Sequence, residues 1–209
     1  MSNKDFIKQV KMKLFGYAIG DIIRATRGGS LVGAFIQCFC FLGYMSEIAH
    51  ILKIGEQARD NVLYKNFIEK YLPQYDNEKL YAIRCALVHT YGYSDSMNKA
   101  KLSGYSFQHK NPESHRIYAD NIYCLNLCNF IFDIIKSTHT FFDEVEGKSE
   151  DDLFDYRQRI KATLTVSMGN EIRISMNYAM VDSILSCMDS EEIDWKLLED
   201  NIYQLCLRV

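Results

Sequence analysis

Residues 84–93 read RCALVHTYGY, and within them Arg84, His89 and Tyr91 are the side chains best suited to chemistry. An arginine grips a phosphate through a planar fork of N–H donors, and a histidine moves protons near neutral pH. Together they suit cleavage of a phosphodiester by acid–base catalysis, a reaction that needs no metal. If the stretch is a helix turning about 100° per residue, Arg84 and Tyr91 share a face and His89 points about 140° away from Arg84, with Leu80, Ile83 and Leu87 forming an apolar stripe. The same residues also fit a structural role, in which Arg84 pairs with an acid such as Glu47, His89 sits at a helix C-terminus where positive charge is favoured, and Tyr91 packs. Spacing alone leaves both readings open.

Other chemistries find less support. The seven cysteines, Cys38, Cys40, Cys85, Cys124, Cys128, Cys187 and Cys206, lie mostly inside apolar runs. Cys124 and Cys128 fall one turn apart on an expected helix, and Cys38 and Cys40 are two apart, but neither pair has a second pair at zinc-ligand spacing, so buried core thiols are expected and no metal site. Walker A, Rossmann glycine, HExxH and nucleophile-elbow patterns are all missing from the sequence.

The elements that must position Arg84 and His89 are helical. Phe6, Val10, Leu14, Ala18 and Ile22 recur at three- and four-residue steps over residues 3–25, and Arg27-Gly28-Gly29-Ser30 breaks that helix. Ser30 can cap a long apolar helix running to about Ile54, where Gly55 offers a stop. A third helix spans roughly Arg59 to Tyr71 with Val62, Phe67 and Ile68 inward. Pro73 and Asp76 or Asn77 then introduce the motif helix, Glu78 to Thr90, with Gly92 at its left-handed cap. Residues 99–119 alternate around HKNPES and read as a short β-hairpin or irregular excursion. Helix resumes over DNIYCLNLCNFIFDIIKSTHTFFDEV, where Ile122, Leu125, Phe130, Ile134 and Phe141 recur, followed by helices over LFDYRQRIKATL, NYAMVDSILSCM and DWKLLEDNIYQLCL.

With 209 residues, 48% of them hydrophobic, and two prolines, one helical domain over residues 1–209 is expected. The odd cysteine count and an N-terminus without a signal-peptide pattern point to a reducing cytoplasm. Residues 28–46 lack charge and approach spanning length, but Gln37, two serines and four glycines favour a central bundle helix over a membrane span. The net charge of −3 divides unevenly: residues 1–116 carry 16 basic and 10 acidic residues, and residues 117–209 carry 8 and 17. An anionic partner would meet the first part.

In this helical context Arg84-x4-His89 resembles the RxxxxH motif of HEPN domains, all-α modules of many prokaryotic RNases, toxins and defence proteins. EKLYAIRCALVHTYG resembles the helix bearing that motif, FLGYMSEIAHIL and YKNFIEKYLPQY resemble the helices before it, and the likeness covers about residues 30–142. The resemblance implies an all-α, HEPN-like bundle and a homodimer in which two motif helices meet across a two-fold axis. It implies that Arg84 contacts the phosphate and transition state while His89 transfers protons. An RNA 2′-hydroxyl attacks the adjacent phosphorus, leaving a 2′,3′-cyclic phosphate and a 5′-hydroxyl, with no cofactor.

Tyr91 extends the likeness to Arg-x4-His-x-Tyr, similar to HEPN toxins whose minimal nucleotidyltransferase antitoxins adenylylate this tyrosine; a tyrosine there also suits base stacking. Many HEPN RNases place Asn or Asp directly after the arginine, whereas this chain has Cys85, a poor hydrogen-bonding group, so Glu47, Ser94 and Asp95 are candidates to orient Arg84. Lys99, Lys101, Lys110 and Arg116, with His109 and His115, face only Glu113 among acids between residues 96 and 116. They suit a basic flap for RNA, and equally a solvated loop. The competing readings are a non-catalytic HEPN-like scaffold binding nucleotide, RNA or a protein partner, and a purely structural helical protein.

Overall fold

The computed structural model describes residues 2–50, 59–163, 184, 187–188 and 192–207. These residues are mostly helical and include one small three-stranded sheet. The first helix begins with a reciprocal cap, in which Ser2 Oγ accepts from the Asp5 N–H at 3.1 Å and the Asp5 carboxylate accepts from the Ser2 N–H at 3.3 Å. It runs as α1 (Asn3–Leu14), a π-helical turn (Phe15–Ile19) and α2 (Gly20–Arg27), and ends at Gly29, whose φ of +77° suits glycine.

The apolar run becomes α3 (Leu31–Ala49), with Ser30 at its N-cap but no side-chain capping bond. The expected end near Ile54 lies outside the described residues. By length and composition α3 could cross a membrane, yet ten of its nineteen residues are buried within the protein. It packs against α2, the motif region and α7 (Leu127–Glu146). Phe35 stacks on Phe107 with centroids 3.9 Å apart, and Phe39 meets Phe130 at 5.4 Å, so α3 ties the sheet to α7.

Helix α4 (Asp60–Tyr71) turns Phe67 and Ile68 inward as the pattern predicts, but Val62 is 44% exposed. Leu63 and Tyr64 hold the inward positions, because the apolar face is Leu63, Tyr64, Phe67 and Ile68, three- and four-residue steps that exclude Val62. Asp76 then caps α5 (Asn77–Cys85), accepting from the Lys79 N–H at 3.0 Å. Leu80, Ile83 and Leu87 are buried as expected.

The excursion after α6 (Asp95–Lys99) differs from a hairpin folded about HKNPES. Strand β1 (Gly104–Gln108) lies parallel to β3 (Ile122–Asn126), and β2 (Tyr118–Ala119) pairs antiparallel with the other edge of β3. HKNPES instead holds a 3-10 turn, Pro112–Ser114, capped by Asn111. The hairpin forms at Asp120 and Asn121, whose φ values of 51° and 59° are the positive pair that a two-residue turn requires. Residues 122–126 are therefore strand rather than the start of a helix, with Tyr123 and Leu125 buried and Ile122 exposed in alternation. Asn126 ends the strand by capping α7, its Oδ1 accepting from the Cys128 and Asn129 N–H groups at 3.0 and 3.3 Å. Cys124 and Cys128 accordingly lie on a strand and a helix, not on one helical face. All seven cysteines are free thiols; Cys40 is exposed, against the expectation of burial.

His115 fastens the excursion to the core. Its Nδ1 accepts from the Asn126 N–H at 3.0 Å, which leaves the proton on Nε2, 2.7 Å from the Tyr75 hydroxyl; that hydroxyl donates to Asp133 at 2.7 Å. Burial holds the Tyr75 phenol well above its ordinary range. The acidic run leads, as expected, into α8 (Glu150–Thr163), and DWKLLEDNIYQLCL forms α9 (Trp195–Leu207). The expected helix over NYAMVDSILSCM falls mostly outside the described residues. On α7, His139 stacks on Phe15 at 4.6 Å and meets the edge of Trp195 at 5.5 Å, joining the first, seventh and ninth helices.

Candidate active site around Arg84 and His89

Helix α5 does not continue as a regular α-helix through the motif. Residues Ala86–Thr90 form a π-helical turn, so Arg84 stands on the α-helical part and His89 on the widened one. A turn closed by i→i+5 bonds advances less per residue than an α-turn. By ideal π geometry the angle between His89 and Arg84 is smaller than the 140° of a straight α-helix. Thr90 Oγ1, 2.7 Å from the Ala86 carbonyl and 2.9 Å from that of Tyr93, ties the turn to the chain that follows.

Tyr91, rather than Gly92, occupies the left-handed position that ends the helix, with φ 55° and ψ 24°. Both Tyr91 and Gly92 donate their N–H to the Ala86 carbonyl. A bulky residue there costs about 1 kcal/mol against glycine, and its ring is 68% exposed, so packing does not return that cost. Tyr91→Gly is expected to raise the unfolding midpoint by at most about 2–4 °C, because the freer unfolded chain offsets part of the relieved strain, as checked by calorimetry; a clearly lowered midpoint would show that the ring contributes to the fold.

Arg84 is sheltered, its side chain only 13% exposed. It lies against α3 at Gly43, where a methyl group would come within 3.6 Å of Nη2. Beneath it are the rings of Tyr64 and Tyr81, whose centroids lie 5.3 and 5.8 Å from the guanidinium carbon. Asp60, at the start of α4, places Oδ2 3.1 Å from Nη1. Among the described residues this is the carboxylate in ion-pair range of Arg84. Glu47 is partly buried on α3, Asp95 opens α6 in solvent, and the buried Ser94 Oγ has no hydrogen-bond partner among the described residues. Burial pulls the Arg84 guanidinium down, but Asp60 and the neighbouring phenols and thiol outweigh it and hold it above its ordinary value. Burial and the Cys85 thiol push the Tyr81 phenol up to about 12.

One guanidinium donor is unsatisfied, and a second is paired by charge rather than by a well-directed hydrogen bond. Among the described residues, Nε and Nη1 have no acceptor at hydrogen-bonding geometry, although Nη1 stands close to Asp60. A buried donor without an acceptor is costly, and because both nitrogens are shielded from solvent an oxyanion reaches them only if the side chains around Arg84 shift. His89 is exposed, one helical turn further along, free to meet a substrate. The arrangement provides a sheltered positive charge and an exposed imidazole on one helix.

The basic residues divide. Lys99 and Lys101 close α6, which packs along α5. Lys110 is exposed beyond β1. Arg116 belongs elsewhere: its guanidinium lies 5.5 Å from the Tyr75 ring and donates to the Gln74 carbonyl at 3.5 Å, before α5 begins. Counting about 1.5 Å per residue from Asn77, His89 is some 18 Å along the axis from that end. The structure therefore does not gather the four basic residues into a single flap.

Asp60, Tyr64 and Tyr81 are site residues that the motif does not reveal. Tyr81 has a local signal, one turn before Arg84, whereas Asp60 and Tyr64 reach the site through packing of α4 on α5. Among the described residues no cluster of three His, Cys, Asp or Glu side chains could hold a metal ion. Compared with protein-family models, characterised proteins and solved structures, the chain matches none.

Proposed function

We propose that this chain is a HEPN-like helical domain acting as a metal-independent endoribonuclease on single-stranded RNA, as a cytoplasmic homodimer in a toxin or defence setting. The observation that carries the reading is the sheltered Arg84 guanidinium, whose buried Nε–H has no acceptor among the described residues, on the same helix as the accessible His89. In this scheme Arg84 takes a non-bridging phosphate oxygen as the phosphate displaces Asp60, and the tyrosine pair and Gly43 steer the guanidinium. His89 removes the 2′-hydroxyl proton or protonates the leaving 5′-oxygen, and its counterpart on the second protomer does the other. In this scheme Tyr91, exposed two residues after His89, stacks on a base or is modified by a nucleotidyltransferase antitoxin.

The non-catalytic reading draws on the Arg84–Asp60 pair, which already offers the guanidinium a partner of opposite charge. Incubating the protein with single-stranded RNA in excess EDTA separates the two. Cleavage giving 2′,3′-cyclic phosphate and 5′-hydroxyl ends, lost in His89→Ala, supports the nuclease. RNA that is bound yet stays intact supports the scaffold. A light-scattering mass of one chain at assay concentration would remove the composite dimeric cleft.

A further inference from the structure

A shallow groove opens directly after the motif helix, with a volume of about 560 Å³, lined by Tyr93, Asn98, Lys101, Leu102, Ser103 and Asn121. It adjoins the π turn, because the Tyr93 carbonyl bonds Thr90 Oγ1, while the Tyr105 hydroxyl donates to the Gly92 carbonyl at 3.2 Å and holds the intervening loop against β1. Leu102, only 3% exposed, gives it an apolar floor. Tyr93 presents a ring that is 52% exposed, and its hydroxyl is hydrogen-bonded to Asn98 Oδ1. At the other side, the Tyr118 hydroxyl lies 2.9 Å from the Lys101 carbonyl and 2.8 Å from the Asn121 side-chain amide. The groove thus combines a fixed aromatic ring, two carboxamides, a hydroxyl and an ammonium around a hydrophobic base.

Two of these residues are held in a backbone conformation that L-residues seldom adopt, Lys101 at φ 56° and Asn121 at φ 59°. Lys101 ends α6 in a Schellman arrangement, with the Leu102 N–H reaching the Met97 carbonyl at 2.9 Å and its own N–H reaching that of Asn98 at 3.1 Å. Glycine is the usual residue there. A lysine at the first left-handed position places a charge where glycine is the usual residue, while asparagine suits the second and accepts from the Tyr118 hydroxyl.

We propose that this groove is a nucleobase subsite that receives one unstacked base of single-stranded RNA next to the cleavage site. The proposal rests on the nuclease reading for its location but not for its chemistry. A base stacks on Tyr93 and meets the Asn98 and Asn121 amides at its hydrogen-bonding edge, and Lys101 neutralises the adjoining phosphate. Duplex RNA, whose bases are already stacked and paired, is a poor ligand for it.

The left-handed backbone supplies a test in which Lys101→Gly leaves the fold undisturbed. Lys101→Gly keeps the required φ and is expected to fold at least as well as the parent; Asn121→Gly keeps its φ but removes the acceptor of the Tyr118 hydroxyl, so its unfolding midpoint is measured alongside. Binding of a fluorescein-labelled single-stranded RNA 12-mer is measured by anisotropy in a His89→Ala background, so that cleavage does not interfere. Each glycine variant and Tyr93→Ala should weaken binding by about five- to tenfold, and the duplex form should bind at least as weakly as the variants. Unchanged affinity in all three variants, or equal affinity for duplex, overturns the subsite. If the variants bind and cleave as the parent does, the subsite fails while the nuclease stands. If they lose binding and no preparation cleaves, the nuclease fails and the subsite stands.

Discussion

His89→Ala is expected to lower the rate of RNA cleavage by about 10²–10⁴-fold, the range that a positioned acid or base contributes. Binding should change little, because the imidazole is exposed and the phosphate contact is assigned to Arg84. Arg84→Lys should behave differently. It keeps the charge but replaces a forked, planar donor with a compact ammonium that cannot lie across Tyr64 and Tyr81 in the same way. Loss of both rate and affinity is expected there. A single-turnover assay with a labelled oligonucleotide gives the rate and anisotropy gives the affinity. A His89→Ala protein that retains the wild-type rate ends the catalytic assignment, whatever Arg84→Lys does.

Acidification from pH 7 to pH 4.5 is expected to destabilise the fold through His139 by roughly 2 kcal/mol, growing toward about 3 kcal/mol only below pH 4 as the folded-state imidazole titrates. Burial, with Lys11 acting in the same direction, depresses its pKa to about 4, against the partial opposition of Asp143. The unfolded chain binds the proton near pH 6.5, whereas the folded chain resists it until about pH 4. Between those values the unfolded state holds more protons, so stability falls with decreasing pH and is fully available only above about 6.5. The ring is 5% exposed and lies flat against Phe15 beneath the edge of Trp195, so charging it carries a desolvation cost that neither neighbour repays. Urea unfolding of wild type and His139→Leu at pH 7 and pH 4.5 checks this. The variant should show the smaller loss, and equal slopes in the two proteins would refute the assignment.

Much of the helical frame was legible because the apolar residues repeat at three- and four-residue steps and the stops carry chemistry of their own, as at Gly28-Gly29 and Asp76. The sheet was not, for a local reason. Residues 122–126 run directly into α7, and their apolar positions satisfy helical spacing as well as alternation; what divides them is the Asp120-Asn121 turn, two residues that enter the left-handed region with comparative ease. Arg84 and His89 were legible as types, but their surroundings were not. Asp60 and Tyr64 come from another helix, and no spacing within the motif announces them. Tyr91 was misassigned for a similar reason: Gly92 was the natural choice for a left-handed cap, and only the widened turn before it moved the cap forward by one residue.

That widened turn gives the motif a property best expressed as helical phase. A π turn holds one residue more than the α-turn it replaces. On an ideal α-helix, side chains that share a face stand three or four positions apart, and five places them on different sides. The interval between Arg84 and His89 is thus matched to a helix with a surplus residue. Deleting any one position between Ala86 and Val88 would keep both functional residue types and let the segment relax to α-helix. The loop from Tyr91 onward, with its groove, would then start from a different azimuth. In this chain the length of the interval and the shape of the turn form one unit, and an insertion or deletion there would do what no conservative substitution does.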